Sequence, residues 1–145
     1  MSFKEIDSTK NDASLFPGKI LLYGFEDTIE KEFFESFLKK YTTKEIFFIP
    51  NNLIFEKVGF LAGVSGFETN STSMSTDKNL PDFKFMMLSG FSEQELYSLI
   101  TSFKSENVKR PITATMTETN QDWVFADLLE EVYTEHQMMT ARNKN

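Results

Sequence analysis

Apolar and polar positions along this chain follow two rhythms, and the rhythms come in the same order twice. Ile20 to Tyr23 is a continuous apolar run of strand length, the pattern of a strand covered on both faces. Gly24-Phe25 breaks it. Asp27 then stands where a helix can be capped, with Glu30 completing an acidic capping box. Ile29, Phe33, Phe34, Phe37 and Leu38 follow at helical spacing and predict one apolar face, and Lys39-Lys40 suits the C-terminal end of the helix dipole. Ile46 to Ile49 reads as a second strand, stopped by Pro50-Asn51. Leu53 to Ala62 is a weaker helical segment that contains Gly59.

The second half follows the same plan. Phe85 to Leu88 is a strand, Gly90-Phe91 the break, and Ser92 with Glu95 a capping box. Leu96, Leu99, Ile100 and Phe103 form the helix face. Pro111 precedes Ile112 to Met116, whose period of two predicts a strand burying one face. Thr117 to Asn120 is a turn whose Thr119 or Asn120 can cap a last helix from about Gln121 to near Met138, with Phe125, Leu128, Leu129 and Val132 inward.

A slide of 66 positions superposes the halves without a gap from Ile20 to Ile46, laying Gly24-Phe25 over Gly90-Phe91 and Ile46 over Ile112. A two-residue adjustment then lays Asn52 over Asn120 and Phe55 over Trp123. The organisation read from this is a flexible tail at 1–15 and one domain at 16–139. That domain comprises a first unit at 18–63, a flexible loop at 64–82 and a second unit at 83–139, with a frayed tail at 140–145. Seven of the sixteen residues from 65 to 80 are Ser or Thr, the composition of a loose connection. Whether it is a lid or a passive linker is open at this point.

Each unit is thus strand–helix–strand–helix, and its crossover implies parallel pairing. The fold class expected is α/β, an α+β sandwich of two pseudo-twofold-related units sharing a four-stranded sheet. The first strand of each half belongs at the centre, because these are the runs apolar throughout. A ferredoxin-like arrangement satisfies this, with an open doubly wound parallel sheet as runner-up.

Charge and composition narrow the chemistry. Fifteen Lys and Arg against 22 Asp and Glu give −7, which repels phosphate backbones and argues against nucleic acid. Zero Cys excludes disulfides and thiolate chemistry, and sixteen Phe supply a large apolar payload. The first fourteen residues lack the apolar stretch of a signal peptide, and no run approaches the roughly 18 apolar residues of a membrane helix, so a cytoplasmic location without a membrane is expected. The Asn70-Ser71-Thr72 sequon matters only on a secretory route.

The stretch Met86-Met87-Leu88-Ser89-Gly90-Phe91-Ser92, with Pro111-Ile112-Thr113-Ala114, Thr117-Glu118-Thr119-Asn120-Gln121-Asp122-Trp123 and Leu128-Leu129-Glu130-Glu131, resembles the bacterial family called domain of unknown function 3783. The resemblance covers about residues 84–136, with a diverged echo at 19–62 that implies a tandem duplication. The family often carries Lys where this chain has Thr113. The resemblance implies a domain and no activity.

Candidate chemistry is sparse. The Gly-Phe turns lack any Walker or Gly-x-Gly-x-x-Gly pattern and are read as tight backbone turns. Asp127, Glu131 and Glu135 make an acidic helix stripe beside His136, read as a solvated face rather than a metal site. No nucleophile motif accompanies the single His, so catalytic residues, metals and cofactors are expected to be none. The candidate ligand-binding set is Thr119, Asn120 and Trp123 with their counterparts Asn52 and Phe55. Capping and sheet-end packing explain the same residues. The expected function is a non-catalytic binding or regulatory module working through protein–protein contact, as a homodimer or with another protein. The alternative is a metabolite-sensing domain with its small-molecule pocket between the repeats.

Overall fold

The computed structural model describes residues 16–69 and 80–143; the expected tail at 1–15 and most of the Ser/Thr-rich connection, including the Asn70 sequon, lie outside the described residues. Four strands, β1 (Lys19–Tyr23), β2 (Glu45–Phe48), β3 (Phe85–Ser89) and β4 (Ile112–Thr115), form one sheet in the order β2-β1-β3-β4. The helices are α1 (Thr28–Lys39), α2 (Val58–Ala62), α3 (Glu93–Ser105) and α4 (Phe125–Asn143). Three-residue 3-10 turns at Asn51–Leu53 and Asn120–Asp122 precede α2 and α4.

The two continuous apolar runs are central strands because helices cover both faces of the sheet. Ile20, Leu22, Met86 and Leu88 point into a layer with Phe34, Phe37 and Leu38 of α1 and Leu99 and Phe103 of α3. Leu21, Phe85 and Met87 point the other way, onto Val58 and Leu61 of α2 and Phe125 and Leu129 of α4. The α1–α3 layer is an aromatic stack, with Phe25–Phe34 and Phe37–Phe103 ring centroids 4.7 Å apart and Phe34–Phe103 at 5.8 Å. β4 keeps its period of two: Ile112 and Ala114 pack toward α4 while Thr115 is exposed. The helix starts follow local chemistry, since Asp27 accepts from the Glu30 N–H at 3.0 Å and Ser92 with Glu95 closes a reciprocal capping box.

The α/β class, the four-stranded sheet and the central place of β1 and β3 match expectation. The strand order does not. A ferredoxin-like sheet splits each strand–helix–strand pair with a third strand. Here β1 pairs directly with β2 and β3 directly with β4, both parallel, and the halves meet through the antiparallel β1/β3 pair. That antiparallel seam also removes the all-parallel doubly wound alternative. The seam places Leu21 opposite Met87, residues 66 positions apart, so the sheet centre is symmetric under the slide read from the sequence.

The slide fails earlier than expected. β1 aligns Ile20 with Ile46, but β3 aligns Met86 with Thr113, so Thr113 rather than Ile112 holds the place of Ile46. Ile112 accordingly faces the α2–α4 layer, whereas Ile46 faces α1 and α3.

Three helix expectations change. On α1, Ile29 and Phe33 are 75% and 55% exposed. At 3.6 residues per turn Ile29 stands half a turn from Leu38, and the sheet covers a narrower arc than the five apolar residues span. The segment read as one helix at Leu53–Ala62 divides into the 3-10 turn and the short α2. The last helix begins at Phe125, four residues after the expected start, and continues through Asn143, past the expected end near Met138 and through most of the stretch read as frayed.

The Gly-Phe turns are places of close backbone approach. Gly24 and Gly90 have φ of 93° and 73°. A Cβ on Gly24 would lie 2.2 Å from the Phe83 carbonyl oxygen, and one on Gly90 2.6 Å from the Phe16 and Pro17 carbonyl oxygens. Only glycine combines that conformation with that contact.

Candidate functional site

Asn120 is the most heavily used member of the sequence-derived set. Its side-chain oxygen accepts from the Thr117 N–H at 2.8 Å, and its amide nitrogen donates to the Thr115 carbonyl at 3.0 Å. Its own N–H donates to the Thr117 hydroxyl at 3.0 Å. The turn from β4 is therefore folded back on the strand end. Capping of α4 by Thr119 or Asn120 is corrected: a 3-10 turn that Asn120 itself opens lies between them and the helix start at Phe125, and Thr119 makes no side-chain cap. Thr119 and Asn52 are exposed, Phe55 is half-buried against the α2–α4 layer, and Trp123 is 36% exposed.

Backbone bonds bring the two segments carrying these residues side by side. Lys57 and Val124 form an isolated antiparallel bridge. Val58 donates to Trp123 at 2.9 Å, Phe125 to Glu56 at 2.9 Å and Ala126 to Ile54 at 2.8 Å. These bonds splice the start of α2 to the start of α4 over the centre of the sheet. Trp123 takes part in this pairing through its carbonyl, and Phe55 lies between Ile54 and Glu56, whose carbonyls also take part.

A broad open groove of about 1010 Å³ lies elsewhere, at the end of the sheet where β1 finishes and β3 and β4 begin. Phe33 of α1 forms one wall, Tyr133, His136 and Met139 of α4 another, and Lys109-Arg110 lies on the approach to β4. Sequence reading missed this place because its walls come from residues 24 to 139 and no local motif marks it. Its signal was the helical spacing of Ile29 and Phe33, read as core.

The charges around the groove are mixed. Lys84 pairs with Glu30 at 2.8 Å. Among the described residues Lys109 and Arg110 form no ion pair, and both are exposed. Behind the wall, Tyr23 packs edge-on against Phe125 with ring centroids 6.1 Å apart. Burial, then the nearby Asp82 and Glu26 carboxylates, push its phenol pKa above the ordinary value, so it stands as a neutral hydroxyl.

Asp127, Glu131 and Glu135 are exposed along α4, with His136 also exposed. Among the described residues no group of three His, Asp or Glu is placed to hold a metal ion. No helix among them is long and apolar enough to cross a membrane.

No curated protein and no solved structure matches the chain. Residues 84–139, which hold β3, α3, β4 and most of α4, match the family described as Domain of unknown function (DUF3783).

Proposed function

We propose that this protein is a non-catalytic binding module that acts through protein–protein contact, in the cytoplasm of a bacterium. The observation that carries the reading is the apolar surface beside the groove. Phe33 of α1 and Met139 of α4, which line the groove, are 55% and 59% exposed, and Ile29, one turn before Phe33, and Met138, next to Met139, are exposed as well. Scattered single apolar residues are normal on a surface, but large apolar side chains gathered at an open concavity mark a contact site. The helix itself supports the reading. α4 runs about 28 Å at 1.5 Å per residue, and every residue from Thr134 to Met139 is exposed, so this stretch has little of the protein to pack on.

The two halves descend, in this reading, from a tandem duplication of one unit. The Leu21–Met87 centre and the matched contacts of Gly24 on Phe83 and Gly90 on Pro17 support it.

The test is a partner interaction that depends on this surface. A protein that co-purifies with the wild type is expected to be lost from Phe33→Glu and from Ile29→Lys, and kept by a Lys104→Glu control on α3. The purified partner should then bind the wild type alone in a titration. Equal binding by all variants would place the contact elsewhere and remove the groove from the reading.

A further inference from the structure

The two edges of the sheet are not alike. On β4 the bonds Ile112 N–H to Lys84 at 3.1 Å and Met116 N–H to Leu88 at 2.9 Å turn Ile112, Ala114 and Met116 toward β3. Thr113 and Thr115 therefore face outward, since a parallel strand presents alternate residues to its neighbour. This edge is blunted at both ends of its outward stretch by its own chain. Asn120 occupies the Thr115 carbonyl, the Thr113 hydroxyl occupies the Pro111 carbonyl at 2.8 Å, and Pro111 has no N–H to offer.

On β2 the bond from Ile49 N–H to Leu22 at 2.7 Å turns Phe47 and Ile49 inward, leaving Ile46 and Phe48 facing outward. Among the described residues nothing bonds to the backbone N–H or C=O of either. The open stretch is bounded on both sides. The Lys44 N–H is taken by the Thr42 hydroxyl at 3.1 Å, Pro50 has no N–H, and the Pro50 carbonyl accepts from Leu53 at 3.0 Å.

We propose that a second copy of this chain pairs through β2, antiparallel about a twofold axis at Phe47, to make a continuous eight-stranded sheet. The window is self-complementary under that operation. Ile46 meets Phe48 of the partner as a hydrogen-bonded pair, and Phe48 meets its Ile46, so the four open groups on each copy form four bonds with none left over. Any shift of the axis to a neighbouring residue strands an outward group or brings Pro50 opposite an open carbonyl. The side chains suit the position: Ile46, Phe47 and Phe48 are half-buried, so pairing covers apolar area that the monomer leaves partly wet. The proposal is independent of the groove, which lies at the end of the sheet and not along this edge.

The absence of cysteine makes a direct test available. Phe47→Cys puts the two introduced thiols opposite each other in a non-hydrogen-bonded pair, where Cα atoms lie about 4.5 Å apart, within disulfide reach. Mild oxidation is expected to link the full chain into a dimer of twice 16.8 kDa, while Ala114→Cys at the corresponding site of β4 stays unlinked. Without any cysteine, light scattering should find a concentration-dependent dimer. Ile46→Pro, which removes one donor from each copy and so two bonds from the dimer at an edge that tolerates proline, should weaken it by about thirtyfold with the circular dichroism unchanged. A wild type that stays monomeric to millimolar concentration overturns the proposal. So does a dimer that Ile46→Pro leaves intact and that Phe47→Cys does not trap. Should Ile46→Pro unfold, the cross-linking result decides alone.

Discussion

Replacing Asn120 with alanine separates the structural account of this residue from a ligand-binding one, and the structure fixes the size of the effect. Alanine removes two side-chain bonds, the 2.8 Å bond from the Thr117 N–H and the 3.0 Å bond to the Thr115 carbonyl. Each such bond is worth about 0.5–1.5 kcal/mol net, and Asn120 is half-buried, so water can replace part of the loss. The expected cost is about 1–2 kcal/mol. For a chain of 145 residues this lowers Tm by roughly 4 °C per kcal/mol, or about 4–8 °C in differential scanning fluorimetry. Asn52, the counterpart in the first half, is exposed and makes no side-chain bond among the described residues, so Asn52→Ala should cost under about 0.5 kcal/mol. Asn120→Asp at neutral pH keeps the acceptor and sets a carboxylate against the Thr115 carbonyl, so it should be no better than alanine. Losing the Thr115 bond also opens the β4 edge, and Asn120→Ala should show more self-association at high concentration. The reasoning fails if Asn120→Ala and Asn52→Ala melt within 1 °C of one another (about 0.25 kcal/mol on the same scale). The two amides would then be equivalent, and a ligand role for the Asn120 position would regain its standing.

Gly24→Ala and Gly90→Ala should each cost at least about 2 kcal/mol in urea unfolding, because positive φ and a carbonyl contact below 3 Å act together; a loss under 0.5 kcal/mol would mean that the turns relax freely. Phe103→Ala, which empties the stack with Phe34 and Phe37, should cost about 3–5 kcal/mol, whereas Phe33→Ala on the exposed side of α1 should cost under about 0.5; equal losses would contradict the assigned faces. Glu95 has its pKa lowered chiefly by the bond from the Ser92 N–H, with Lys44 adding to it, so the fold favours the carboxylate. Its contribution is therefore full above the ordinary glutamate range and is lost as pH falls through the depressed value. Glu95→Gln should flatten the acid limb of the stability profile in that window, and Glu95→Ala should cost about 1 kcal/mol at neutral pH through the capping box; an unchanged acid limb would refute the assignment.

What was legible in the sequence is what local chemistry or complete burial decides. β1 and β3 could be read as central because Ile20–Leu22 and Met86–Leu88 are apolar on every side, which only a doubly covered strand requires. Asp27, Ser92 and Glu95 could be placed because a cap is settled within four residues. The groove was not legible, since its walls lie more than a hundred residues apart in the chain. Nor was the exposure of Ile29 and Phe33, which depends on how much of α1 the sheet covers. Of the candidate site residues, Asn120 reads in sequence as a ligand-orienting amide or a helix cap, and its side chain instead bonds back to the end of β4. An amide that satisfies a carbonyl five residues behind it and one that caps a helix ahead of it look alike in sequence.

The one-residue slip between the halves is the feature with the widest consequence. In a gapless alignment Ile112 matches Ile46 so well that hydrophobicity gives no reason to doubt it. Pairing decides otherwise, because β4 enters its partnership one residue later than β2 does. That slip turns Thr113 and Thr115 to the outer edge where β2 presents Ile46 and Phe48. A threonine hydroxyl can bond the chain's own carbonyl and an isoleucine cannot. The segment after β4 then brings Asn120 back onto Thr115, whereas among the described residues Asn52 after β2 makes no such return. Two edges built from similar sequence thus differ: on β4 the Pro111 and Thr115 carbonyls are taken by side chains, whereas on β2, among the described residues, nothing bonds to the backbone of Ile46 or Phe48. In the proposed dimer a difference in register, invisible to composition, decides which edge of a symmetric sheet pairs.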